Sequence, residues 1–236
     1  MTIELFRDDA YLKQCEALIV DINDRGGIIL DQTVFYPTGG GQPGDSGVFE
    51  TSTGSIQIAT TVKDKETGHV VHVPAENQPA PQVNEKVSVK IDWERRYKHM
   101  RMHTALHLLC STVPCGVTGG QINETKGRLD FDIGEFTLDK EKITEKLNQL
   151  IKEAHEVTFS WISDEELEQN PDLVRTMSVQ PPRGSGKVRL IKVGENIDLQ
   201  PCGGTHINNT SEIGAVKVAK IENKGKRNRR VNIVFD

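Results

Sequence analysis

No stretch of this 236-residue chain approaches the roughly 20 consecutive apolar residues that a membrane-spanning helix needs, so no membrane partner is expected. The N-terminal run Met1-Thr2-Ile3-Glu4-Leu5-Phe6-Arg7-Asp8-Asp9 lacks the basic start and apolar core of a signal peptide. Cysteine is scarce: only Cys15, Cys110, Cys115 and Cys202 occur. Without an export signal these read as reduced thiols in a cytosol-like compartment, and the expected location is cytoplasmic. Cys110 and Cys115 flank a helix end and read as buried or free thiols rather than ligands. An excess of positive charge is also missing. The net charge of −5 does not advertise a nucleic-acid binder.

What is present is ordinary in amount and uneven in placement. Hydrophobic residues make up 36% and charged residues 27%, as in a soluble globular protein, and the length suits two modest domains. Lys224-Gly225-Lys226-Arg227-Asn228-Arg229-Arg230 packs five cations into seven residues. Arg183, Lys187 and Arg189 add a second group. Such patches on an acidic protein can hold phosphates while the remaining surface repels them. A single cluster of this kind is more often a solvated hairpin turn.

Residues 1–92 read as short strands between turns, at Ala17–Asp21, Gly27–Leu30, Ser55–Val62, Val70–Val73 and Lys86–Ile91, which favours a small antiparallel barrel. Among them Tyr36–Gly47 carries five glycines in twelve residues. Tight turns are one reading of it; a backbone-lined approach to a ligand is the other. The spacing is not that of a phosphate-binding P-loop, so a nucleoside triphosphate is excluded as its target. Residues 93–236 read as a second domain. It has an opening helix, a hairpin over about 116–133, a helix from Asp139 to about Glu156 and a strand at Val157–Ile162. A short helix capped by Ser163 follows, then strands at Val188–Val193, Ile213–Lys220 and Val231–Phe235. Helices segregated from antiparallel sheet make the expected class α+β.

Two pairs of metal-type side chains stand out. His103 and His107 lie in Tyr97–Leu109, a stretch of good helix formers without Pro or Gly, and positions i and i+4 share one helix face. Cys202 and His206 flank a glycine turn about a hundred residues later. Together they offer three nitrogens and one sulfur, a set suited to a single tetrahedral Zn²⁺ per chain. Alone, either pair is more often coincidence, and His99 leaves two pairings open on the helix.

His103-Thr104-Ala105-Leu106-His107-Leu108-Leu109, taken with Cys202-Gly203-Gly204-Thr205-His206, resembles the metal-site signature of the alanyl-tRNA synthetase editing domain and its free-standing AlaX relatives. The segment Gly39–Gly47, containing Gly39, Gly40, Gly41, Gln42 and Asp45, is similar to the medium-length members of that family. Threonyl-tRNA synthetase editing domains share the metal pairs but lack this loop. The resemblance assigns the helix pair to His103 and His107 and leaves His99 outside the site. It also implies an activity: hydrolysis of the ester joining a wrong amino acid, chiefly serine with glycine second, to tRNA for alanine. The chain has no room for an aminoacylation domain, so a stand-alone editor is expected.

For that chemistry Gln121, on a hairpin taken to face the first helix, is a candidate donor to the ester carbonyl. Thr118 and Thr104 are candidates for the serine hydroxyl, and the Gly203 and Gly204 amides for the oxyanion. Arg183, Lys187, Lys226, Arg227, Arg229 and Arg230 are the candidate phosphate contacts. Two rival readings are an editor of serine on threonine tRNA and a zinc-stabilised RNA-binding module without catalysis.

Overall fold

The computed structural model describes residues 2–52, 54–174 and 186–236. The chain forms two compact units, Met1–Tyr97 and Lys98–Asp236. No helix among the described residues is long and apolar enough to cross a membrane.

The first unit contains β1 (Ile3–Glu4), β2 (Gln14–Ile22), β3 (Ile28–Leu30), β4 (Gln32–Thr33), β5 (Gly47–Thr51), β6 (Gly54–Lys63), β7 (Val70–Pro74) and β8 (Lys86–Ile91). Strands β2-β3-β7-β6-β5-β8 close into an antiparallel barrel, as the turn-separated apolar runs suggested. In β8 the alternation is plain: Val87, Val89 and Ile91 are buried while Lys86 and Lys90 are exposed. Ile19, Leu30, Phe35, Phe49, Ile56 and Ile58 fill the rest of the core.

A histidine sits inside this core. His72 on β7 is fully buried, edge-on to Phe35 and Phe49. One ring nitrogen lies 3.0 Å from the Ile28 carbonyl and the other 2.8 Å from Thr33 Oγ1. The neutral ring can satisfy both by donating to the carbonyl and accepting from the hydroxyl.

The glycine-rich segment has two parts with different physics. Gly40 and Gly41 have φ of +54° and +82°, and Gly39 and Gln42 exchange backbone hydrogen bonds across them, a two-residue turn that favours glycine at both centres. A Cβ on Gly40 would meet open space, whereas one on Gly44 would sit 1.9 Å from the Thr61 carbonyl oxygen. Gly44 is therefore required by close backbone packing. Asp45, also buried, accepts from Tyr36 N at 2.6 Å and pairs with the fully buried Arg96 guanidinium. Arg96 further donates to the carbonyls of Val34 (2.7 Å) and Ala10 (3.1 Å). This single side chain ties four segments of the first unit together.

Helix α1 (Trp93–Thr112) runs through the boundary between the units. Its second half is buried all round: from His99 to Cys110 only Arg101 is not buried. The second unit continues with β9 (Gly116–Ile122), β10 (Lys126–Asp132), α2 (Lys140–Lys152), β11 (Val157–Ser163), α3 (Asp164–Gln169), β12 (Lys187–Val193), β13 (Asp198–Pro201), β14 (Val216–Asn223) and β15 (Asn228–Phe235). These strands make an antiparallel sheet in the order β14-β15-β10-β9 and another in the order β11-β12-β13. The class is α+β, as expected. Met102 and Leu106 of α1 crowd Gly127, where a Cβ would fall 2.8 Å from Met102 Sδ.

Several boundaries differ from expectation. Helix α2 stops at Lys152, and Ala154 turns the chain away with φ of +57°. Asn209 caps a 3-10 turn over Thr210–Ile213, so the strand expected from Ile213 begins at Val216. The last strand begins at Asn228 and takes in Arg229 and Arg230, because its backbone pairs with Phe131 and Asp130 of β10.

Two outcomes follow. Burial pushes the His72 imidazole down from 6.5 to about 4. The unfolded chain therefore binds the extra proton first, and stability is lost as pH falls from 6.5 towards 4, by up to about 3 kcal/mol. Urea unfolding at pH 7 and pH 4.5 should show this loss, and His72→Phe should show a smaller one. Arg96→Ala strands a buried carboxylate, and its urea midpoint should fall by the equivalent of about 3–5 kcal/mol.

Candidate metal centre

The site is built from two elements that approach each other from distant parts of the chain. Helix α1 presents His103 and His107 from successive turns, with ring centroids 5.5 Å apart. After β13 the chain turns through Cys202-Gly203-Gly204-Thr205-His206. Cys202 Sγ lies 3.5 Å from His103 Nε2 and 3.3 Å from His206 Nε2. All four donor atoms fall within 4.8 Å of one another, and this buried group could hold a metal ion. The three imidazoles are buried and the Cys202 side is partly open.

Neighbouring groups fix which nitrogen faces the centre. The Thr104 hydroxyl donates to the Met100 carbonyl (3.0 Å), so it accepts from His206 Nδ1 (3.1 Å). His107 Nδ1 lies 2.7 Å from Asp198 Oδ2, and Gln200 Nε2 donates to that same oxygen at 2.8 Å. Both rings thus carry their proton on Nδ1 and turn Nε2 to the centre, the usual arrangement for a ligating histidine.

Electrostatics favour an anionic sulfur. Burial pushes the Cys202 thiol up, but the adjacent His103 and His107 outweigh it and hold the thiol well below its ordinary range. Burial also opposes charge on His107, yet Asp198 and Cys202 take that imidazole up to about 10. Burial and the charge of His103 keep His206 far below the ordinary histidine value. A metal ion here would be held through His107 Nε2, with Nδ1 kept on Asp198.

The turn itself is pinned from β12. Arg189 is buried and donates to the Gly204 carbonyl at 2.9 Å, beside the Cys202 carbonyl at 3.5 Å.

Comparison with known proteins agrees with this geometry. Residues 188–232, which include Cys202 and His206, match the family described as the threonyl and alanyl tRNA synthetase second additional domain. Residues 3–95 match the class II (A) tRNA synthetase family. The chain is 35% identical over 240 residues to the alanyl-tRNA editing protein AlaX-M of Methanosarcina acetivorans, covering 98% of each chain. This chain belongs to the AlaX family. Identity to AlaX-M of Saccharolobus solfataricus is 36%, again over 98% of each chain. Against the alanine–tRNA ligase of Pyrobaculum neutrophilum it is 34%, over 94% of this chain but 25% of that protein.

The other anticipated residues are placed as follows. Thr104 is fully buried with its hydroxyl engaged by His206 and Met100. Gln121 is exposed and lies opposite Arg128, whose Nη2 donates to it at 3.2 Å. Buried Ile122 pairs with Gly127, which faces Met102 and Leu106, so its neighbour Gln121 points away from α1 rather than towards it. Thr118 bonds to the Asp130 carbonyl and to Asn228 within the same sheet. Arg230 pairs with Asp130 and Arg227 with Asp132, while Arg229 donates to Asn223 and to the Gly225 carbonyl. Lys187 and Lys226 are exposed. Arg183 lies outside the described residues.

Sequence reasoning missed Asp198, Gln200 and the structural part played by Arg189. The signal for the first two was alternation: Asp198, Gln200 and Cys202 are each two residues apart, so an extended strand turns all three to one side. Replacing Asp198 with Ala removes the anchor of His107 and should weaken metal-ion binding about 10- to 100-fold, read by competition with a chromophoric chelator. An unchanged affinity would show that the carboxylate does not orient the ring.

Proposed function

We propose that this chain hydrolyses the ester joining a wrong amino acid to tRNA for alanine, chiefly serine with glycine second, and spares alanine. The observation that carries the reading is the buried group of His103, His107, Cys202 and His206 in a chain of the AlaX family. Zinc suits the site. The two sulfur–nitrogen separations, 3.3 and 3.5 Å, are close to the edge of a tetrahedron with metal–nitrogen bonds of about 2.0 Å and metal–sulfur bonds of about 2.3 Å. When bound, zinc supplies Lewis-acid polarisation of the ester carbonyl.

The remaining chemistry belongs to the chain. Thr104 and Asp198 hold His206 and His107 in the ligating orientation. Gly203 and Gly204 place no side chain beside the sulfur, so the ester can approach their backbone amides as the oxyanion develops. Approach is from the Cys202 side, the partly open edge of the group. Selectivity is physically reasonable here, because a pocket that hydrogen-bonds the serine hydroxyl leaves its own polar groups unpaired when alanine enters. Lys187 and Lys226 are exposed phosphate contacts, and Arg227 and Arg230 are shared with aspartates. The hydrolytic site belongs to the second unit, and the exposed Gly40–Gly41 turn of the barrel unit, where a Cβ on Gly40 would meet open space, is the part of its loop with room for RNA. A reduced Cys202 suits a cytoplasmic setting.

The test is deacylation of three substrates by the zinc-loaded chain: seryl- and alanyl-tRNA on alanine tRNA, and seryl-tRNA on threonine tRNA. Rapid loss of serine from alanine tRNA with alanine spared is expected. Preference for the threonine tRNA would reassign the substrate. No hydrolysis of any of them by protein that holds zinc and binds tRNA would leave a binding module.

A further inference from the structure

The chain is poor in aromatics, with seven Phe, three Tyr and two Trp, so any that remain exposed stand out. Two of them sit together on β11: Phe159 is 41% and Trp161 39% exposed. Residues two apart on a strand share a face. The register identifies that face. Trp161 stands opposite Arg189 and Phe159 opposite Ile191 on β12, and Ile191 stands opposite Gln200 on β13. Cys202 continues the Arg189 row, its amide bonding to the Arg189 carbonyl at 3.0 Å. The exposed rings are therefore on the same side of the sheet as Gln200 and Cys202. Two strand spacings, about 10 Å, separate the Trp161 backbone from that of Cys202.

We infer that Phe159 and Trp161 form a stacking platform for the unpaired nucleotides at the 3′ end of the charged tRNA, leading its terminal ester to the open side of the metal group. This rests on the function proposed above. Three features favour that occupant. Aromatic faces exposed next to cationic side chains are how proteins hold single-stranded nucleic acid with little sequence preference. The Arg189 guanidinium lies 4.7 Å from the Phe159 ring centroid, and Lys187 is exposed two residues before it on the same face. The distance to Cys202, about 10 Å, is short enough for a tail of a few unpaired nucleotides to end at the metal group. A second copy of the chain is a poor occupant. The two rings expose on the order of 200 Å², far below the roughly 800 Å² per partner of a stable interface.

Arg189 makes the platform more than an isolated patch. The same guanidinium that covers Phe159 holds the Gly204 carbonyl. A base seated on the rings therefore packs beside the side chain that fixes the Cys202 turn.

The experiment uses the full chain with Trp93→Phe, which leaves Trp161 as its one tryptophan. Uncharged alanine tRNA, intact or trimmed of its last three nucleotides, is titrated while fluorescence is followed. Quenching by intact tRNA and little by trimmed tRNA is expected. In the wild-type background Phe159→Leu and Trp161→Leu keep the surface apolar but remove the rings. Each should weaken binding of intact tRNA by roughly fivefold or more and leave trimmed tRNA unaffected, while Trp161→Phe should largely restore it. Equal quenching by both RNAs, or leucine variants that bind intact tRNA as the wild type does, would overturn the platform. So would a wild-type dimer that Trp161→Ser converts to monomer in sedimentation. The two readings can fail separately. Leucine variants with full affinity in a protein that deacylates seryl-tRNA would sink the platform alone. End-dependent quenching in a protein that hydrolyses nothing would sink the enzyme reading and keep the RNA surface.

Discussion

Three imidazoles and a thiol gathered within 4.8 Å inside the protein constrain everything around them. Buried polar groups are costly unless each finds a partner, and like groups at this distance repel when charged. The chain answers by giving the outer nitrogens of His206 and His107 to Thr104 and Asp198, and by using Gln200 to hold Asp198. These ties explain why the middle of α1 is buried all round. One side carries the ligands, and another packs Met102 and Leu106 against the backbone of β10, where only a glycine fits without displacing them.

The barrel unit meets a comparable demand by different means. Its glycine-rich segment has to pass tightly over β6, and Gly44 permits that approach to Thr61. Burial of Asp45 then requires a cation, which Arg96 supplies while collecting two further carbonyls. A buried ion pair of this kind contributes less net stability than its geometry suggests, but losing one member is severe. Its value lies in joining segments that hydrophobic packing alone would leave free to slide.

The distribution of charge also takes on meaning in the fold. The basic run near the C-terminus divides: Lys224, Lys226 and Arg227 lie on the exposed turn between β14 and β15, and Arg229 and Arg230 lie on β15. Arg230 on β15 pairs with Asp130 and Arg227, just before the strand, with Asp132, which lowers the value of both as simple phosphate anchors. Arg189, counted in the sequence as one more surface cation, is spent inside on the carbonyl of the metal turn. Cation content read along a chain therefore overstates the charge available to RNA, because pairing depends on register between distant strands.

Much of the fold was legible because it rests on local periodicity. Alternation in Lys86–Ile91 announces a half-buried strand, and the four-residue spacing of His103 and His107 places both on one helix face whatever surrounds them. Boundaries were less legible, since Ala154, Gly214 and the pairing of Arg229 with Phe131 act through backbone conformation and partners far away. The same division holds for the site. Sequence alone offered the candidate ligands: residue type and spacing left His99 open on the helix, and the family resemblance assigned the pair to His103 and His107. Only the tertiary structure decided that Gln121 faces away from α1, that Thr104 serves His206, that Asp198 anchors His107, and that Phe159 and Trp161 lie on the face of Cys202. Each of those depends on strand register, and a shift of one residue turns every side chain on a strand to the opposite face.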